Sequence, residues 1–252
     1  MKCPKCGLEQ GDFKSECMRC GLIFSRYRPP EERELRYPLW GKPRPPLLRR
    51  ILDYLLHTRD SVKLIYFTGR VIVFLLILLW SVKFFESSIE SNYVGRSFMH
   101  LVNLPFHEAG HLIFRPLGDL LHSMGGSLGQ LIMPLTCALV LLIKTRDTFG
   151  ASMALWWTGE SLLDMAPYIN DARVMSLQLI GNNTGSSAPY GFHDWNYILT
   201  ELGLLSHERT IARLAEAGGK AVMALALIWG LTVLLRQMKH VRGFGRKPGL
   251  NR

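Results

Sequence analysis

The sequence predicts an all-α polytopic membrane protein of about four spans, with a re-entrant or half-embedded helix and a small cysteine-rich N-terminal module. Three observations predict it. Hydrophobic residues make up 48% of the 252 residues although the formal net charge is +10, a pairing that soluble domains seldom show. The charge sits at the ends: residues 1–70 hold 15 of the 30 Lys and Arg, and residues 236–252 hold six more with no acid. Basic ends around an apolar middle match the cytoplasmic flanks of a membrane protein. Four apolar stretches fill the middle, and the polar, Cys-rich start is unlike a cleavable signal peptide.

Residues 1–25 hold Cys3-Pro4-Lys5-Cys6-Gly7 and Cys17-Met18-Arg19-Cys20-Gly21. Two C-x-x-C-G knuckles can present Cys3, Cys6, Cys17 and Cys20 as four thiolates to one structural Zn²⁺, a zinc ribbon. The Gly after each pair lets the backbone turn beneath the sulfurs. Disulfides are the poorer reading, because C-x-x-C bonds are strained, and reduced thiolates place this end in the cytoplasm. Cys137, in an apolar run, is read as a buried small hydrophobe.

Residues 26–46, rich in Pro, Arg and Glu, read as an extended linker. Residues 47–63 mix Leu47, Leu48, Ile51, Leu52 and Leu55 with Arg49, Arg50 and Arg59, the pattern of an amphipathic helix on a membrane surface. Residues 64–236 form the membrane domain, with expected spans at Leu64–Phe85, Ser127–Ile143, Phe149–Ile169 and Ala221–Leu235. In the first, Arg70 and Lys83 have to snorkel. The third carries Glu160 and Asp164. Residues 237–252 are a basic cytoplasmic tail. With both termini cytoplasmic, residues 86–126 and 170–219 fall on the other side.

The first of those segments contains His107-Glu108-Ala109-Gly110-His111. On a helix, residues four apart share a face, so His107 and His111 can direct two imidazoles at one Zn²⁺. Glu108 is placed to act as general base on an attacking water. Such a site needs a third protein ligand. Glu160, Asp164 and Asp171 fall within about 40° of one another on a continuous helix, an acidic stripe that Pro167 can kink. His193 is a further candidate. Asp194 is either the carboxylate that orients a ligating His or the cap of a helix from Trp195 to Leu204. His57, His100, His122 and His207 are read as ordinary, and residues 181–191 as a loop that can gate the site.

Phe106-His107-Glu108-Ala109-Gly110-His111, together with Pro167-Tyr168-Ile169-Asn170-Asp171-Ala172, resembles the site-2 protease family of intramembrane zinc metalloproteases. That resemblance implies Asp171 as the third ligand, although Asn170 and Ala172 stand where the family has Leu and Gly. A second resemblance competes: Gly159-Glu160-Ser161-Leu162-Leu163-Asp164 is similar to the G-E-x-x-x-D segment of thermolysin-like gluzincins, which implies Glu160 as ligand and Asp164 as partner of a His. The two cover about 70 residues. The expected function is a membrane-embedded zinc metallopeptidase with one catalytic and one structural Zn²⁺, acting on peptides or membrane proteins among lipid. The rival reading is a non-catalytic zinc-binding scaffold or regulator whose ribbon binds a protein partner. Lys2, Lys5, Lys14 and Arg19 are nearly balanced by Glu9, Asp12 and Glu16, which argues against a nucleic-acid partner.

Overall fold

A computed structural model describes residues 1–12, 14–27, 45–59, 61–179, 183–187 and 193–242. Most of the expected linker, the end of the basic tail and much of the expected gating loop lie outside these residues. The chain divides into two compact units, Met1–Arg50 and Ile51–Arg252.

In the first unit the two knuckles repeat one geometry. Isolated antiparallel bridges join Lys2 to Glu9 and Glu16 to Ile23. Gly7 and Gly21 take φ of 74° and 66°, and their N–H groups donate to the Cys3 and Cys17 carbonyls at 2.9 and 2.8 Å. The left-handed backbone at each Gly turns the chain under the sulfurs, as the spacing implies. All four cysteines are unbridged, and their Sγ atoms approach at 3.7 Å (Cys3 to Cys20) and 3.5 Å (Cys6 to Cys17). The edge of a zinc–thiolate tetrahedron is about 3.8 Å for bonds of about 2.3 Å, so this cluster can bind a metal ion such as zinc.

The described residues form seven α-helices: α1 (Leu47–Leu55), α2 (Leu64–Glu86), α3 (Phe98–Phe114), α4 (Asp119–Leu139), α5 (Thr148–Asn170), α6 (Asp194–Glu201) and α7 (Glu208–Met238). A π-helical turn, Val140–Lys144, extends α4. The expected surface helix over 47–63 stops at Leu55. Val62–Lys63 instead forms a short strand, β1, in parallel register with β2, Val241–Arg242. Residues at the start of the expected basic tail are thereby tied into the fold. Cys137 is half-buried rather than buried.

Three helical segments are long and apolar enough to cross a membrane: Leu64–Glu86, Asp119–Lys144 and Leu205–Met238. Little of the first is covered by the rest of the chain: Ile65, Leu76 and Leu79 are among its strongly exposed side chains. Apolar surface on that scale needs an apolar solvent. Arg70, expected to snorkel, pairs with Asp147 at 3.0 Å.

The third expected span is not among these three segments. Its helix, α5, carries Glu160, Asp164 and many small or hydroxylated residues, and most of its length is buried. It is the central helix, and α7 packs along it through glycine. A Cβ on Gly159 would meet the Met223 N at 2.7 Å and the Gly219 O at 2.8 Å, and one on Gly219 would meet the Gly159 O at 2.6 Å. These neighbours are backbone atoms, which recede only if the helices separate. Gly159→Ala or Gly219→Ala is therefore expected to destabilise the fold by about 1–3 kcal/mol, read as an earlier unfolding transition in detergent. Beside this contact Trp156 donates its Nε1–H to Ser81 Oγ at 2.8 Å and packs edge-on against Phe84, ring centroids 6.0 Å apart.

Candidate metal centre

The packing of α3 on α4 builds one wall of the site. A Cβ on Gly110 would lie 2.0 Å from the Gly125 O, and one on Gly129 would lie 2.2 Å from the Phe106 O. Only glycine permits this backbone contact. It carries Gly126 against the two motif histidines, where a Cβ would sit 2.4 Å from His107 Nε2 and 2.5 Å from His111 Nε2. Both Nε2 atoms thus converge over a position with no side chain.

The opposite ring nitrogens are occupied. His107 Nδ1–H donates to Gln130 Oε1 at 3.0 Å, and the Gln130 amide is oriented in turn by donating Nε2–H to the Ser161 carbonyl at 3.1 Å. His111 Nδ1–H donates to the His122 carbonyl at 2.8 Å, and His122 Nδ1–H returns a bond to the His111 carbonyl at 2.9 Å. Acceptors at both Nδ1 atoms select the tautomer that leaves each Nε2 lone pair free, the state in which imidazole binds a metal.

The acid that meets them is Asp194. Its Oδ2 lies 3.4 Å from His107 Nε2 and 3.3 Å from His111 Nε2. A tetrahedron with metal–ligand bonds of about 2.0–2.1 Å has edges of about 3.3–3.4 Å. The three groups therefore have the spacing of zinc ligands, and they can hold a metal ion. Asp194 Oδ1 is buried without a hydrogen-bond partner among the described residues, an acceptor that a cation would satisfy. Burial by itself would raise the Asp194 carboxyl, but His107 and His111 beside it outweigh burial and bring it down to about 2. Tyr168 donates its hydroxyl to Oδ2 at 3.2 Å and accepts from the Asp194 N at 3.1 Å.

The expected third ligand is placed elsewhere. Asp171 accepts from the Ser176 N at 3.0 Å, the Ser176 hydroxyl at 3.1 Å and the Leu177 N at 2.7 Å. It holds the segment that brings Leu177, Gln178 and Leu179 to the cleft wall. His193 is not among the groups whose atoms gather to hold a metal either: its Nδ1 accepts from the Asn196 N at 3.2 Å and caps α6. Its Nε2 is 3.5 Å from Asp171. Because His193 takes the cap, the Asp194 side chain is released toward the motif. The cap is thus His193 rather than Asp194, and α6 ends at Glu201 rather than Leu204.

Glu160 and Asp164 belong to a separate buried network. Asn103 Nδ2 donates to Glu160 Oε2 at 2.9 Å and to Asp164 Oδ2 at 3.1 Å. Asn103 Oδ1 accepts from Trp157 Nε1 at 2.7 Å. Asp164 also pairs with His100 Nδ1 at 3.0 Å. The gluzincin-like placement of Glu160 at the metal is not realised, although Asp164 does meet a histidine.

His100 and His122, read from sequence as ordinary, both line the cleft, and Gln130, Asn103, Tyr168 and Gly126 were not singled out. One signal was available for His100: it precedes His107 by seven residues, which returns it to within about 20° of the same helix face. The cleft has a volume of about 750 Å³ and contains His107, Glu108, His111 and Asp194 at one part and His100 with Asp164 at another. Compared with protein-family models, with curated proteins and with solved structures, the chain matches none.

Proposed function

We propose that this chain is a membrane-embedded zinc metallopeptidase that hydrolyses peptide bonds of membrane-associated substrates. The observation that carries the reading is Asp194 Oδ2 at 3.3–3.4 Å from both motif Nε2 atoms, in a cleft that Glu108 also lines. His107, His111 and Asp194 are the ligands, leaving a position open to the cleft. A bound Zn²⁺ supplies Lewis acidity, which polarises a carbonyl and acidifies water. Glu108 takes the proton of the attacking water and delivers it to the departing amine. Gln130 and the His122 carbonyl hold the imidazoles in the ligating tautomer. Tyr168 fixes the Asp194 carboxylate. Asp171 positions the 176–179 wall along which a peptide can lie.

Four crossing segments complete the reading, with α5 as the one surrounded by the others. The cleft opens on the non-cytoplasmic side and both termini are cytoplasmic, consistent with the Lys and Arg at the chain ends. The ribbon carries the second, structural Zn²⁺.

Metal removal tests this. The full chain in proteoliposomes is expected to cleave a membrane-anchored reporter peptide, to lose that activity on chelation, and to regain it with added Zn²⁺. A Cys3→Ser/Cys17→Ser variant that retains chelator-sensitive activity assigns the effect to the cleft. Cleavage indifferent to chelation, or absent from the zinc-loaded protein, would overturn the proposal.

A further inference from the structure

Cations distant in sequence meet at one end of the second unit. The Tyr54 hydroxyl donates to the Leu142 carbonyl at 3.4 Å, and the Arg146 guanidinium stands 4.4 Å from the Tyr54 ring centroid. Thr148 Oγ1 donates to the His57 carbonyl at 2.8 Å. Trp229 Nε1 donates to the Leu55 carbonyl at 2.8 Å, and Arg236 donates to the Leu56 carbonyl at 3.4 Å. The β1–β2 pairing then joins Val62–Lys63 to Val241–Arg242. These contacts bring together the start of α2, the π-helical end of α4 and the end of α7, which are the same-side termini of the three membrane-length segments.

Around this junction Arg59, Lys63, Lys144, Arg146, Arg236 and Lys239 are all exposed. The acids described there are Asp53 and Asp147, and Asp147 is already paired with Arg70. Trp229 and Tyr54 mark the boundary with their polar atoms on backbone carbonyls, as interfacial aromatics do. The apolar flank of α2 continues from this end, with Leu64 and Ile65 exposed. A cationic rim immediately above a lipid-facing apolar surface is complementary to a lipid carrying a negative headgroup and two acyl chains. Bulk solvent anions would match the charge but leave the apolar surface uncovered.

We infer that this junction is a binding collar for anionic phospholipids of one leaflet. The headgroup phosphates sit among the six cations, and the acyl chains lie against α2, α4 and α7. The collar anchors the membrane-embedded unit at a defined depth. It is independent of whatever the cleft does, so a failed peptidase assay leaves it standing.

The test is native mass spectrometry of the full chain in detergent, titrated with dioleoyl-phosphatidylglycerol or dioleoyl-phosphatidylcholine. The wild type is expected to retain phosphatidylglycerol in preference to phosphatidylcholine. Lys63→Gln/Lys144→Gln/Lys239→Gln is expected to weaken phosphatidylglycerol retention by about tenfold or more, with an unchanged circular dichroism melting curve. The matching Lys→Arg triple is expected to keep the preference, which excludes misfolding as the cause of its loss. Lys83→Gln/Arg213→Gln, at the other ends of α2 and α7, is expected to keep it too. Equal retention of the two lipids by the wild type would overturn the inference, as would a preference that survives the Gln triple. Displacement of phosphatidylglycerol by inorganic phosphate at constant ionic strength would also overturn it, identifying a site for free anions.

Discussion

Glu108→Gln is expected to lower peptide cleavage by about 10²–10⁴-fold while leaving two zinc ions bound per chain. Gln keeps the size and hydrogen-bonding reach of Glu but has no basic oxygen, so the attacking water loses its proton acceptor and the leaving amine its donor. Glu108 is exposed and is not among the groups that can hold the metal, so metal content is expected to stay constant. Zinc by inductively coupled plasma mass spectrometry and cleavage of the reporter, measured on the same preparation, check both halves. Undiminished cleavage would exclude Glu108 as the base. Loss of zinc would make it a ligand and return the assignment of Asp194 to question.

Asp194→Ala is expected to remove the cleft metal, whereas Asp171→Ala is expected to keep it. Losing a residue that only supports a ligand costs about 10–100-fold in metal affinity, and losing a ligand itself is expected to cost at least the upper end of that range. The Ala variant also leaves two imidazoles converging on an uncharged space. Asp171→Ala frees the Ser176 and Leu177 N–H groups and so loosens the cleft wall. Its expected signature is weaker peptide binding with zinc intact. The sign of the pH dependence follows from the same geometry. The Asp194 carboxyl, held at about 2, stays ionised well below neutrality. Its folded-state contribution is present above the ordinary carboxylate value and is lost only as the pH falls through about 2.

Much of the architecture is readable from residue order alone, for reasons that are local. The ribbon follows from two C-x-x-C-G knuckles, because the ligand spacing and the left-handed Gly are both set within five residues. Leu64–Glu86 follows from an uninterrupted apolar run of membrane length. His107, Glu108 and His111 follow from helix periodicity. The identity of the acid that meets the two histidines did not follow. A family resemblance favoured Asp171, after Pro167, and left Asp194 as either the orienting partner of a ligating His or the cap of a helix. The fold reverses them. His193 occupies the cap of α6, and turn N–H groups take up both oxygens of Asp171.

The same division holds for the supporting groups. The His107 and His111 rings are oriented by Gln130 and the His122 carbonyl, and a glycine at 126 leaves their Nε2 atoms room. None of these is near the motif in a way that composition or periodicity can detect, because the contact depends on how closely α3 and α4 approach. That approach is a backbone contact between Gly110 and Gly125, and a glycine in an apolar helix gives no sign of which helix it will meet. Residue order by itself determined the ribbon, the apolar segments and the two histidines, since each is encoded over a few neighbouring positions. Tertiary structure alone decided that Asp194 meets them, because an acid 87 positions from His107 is brought to it only by the packing of the helices between.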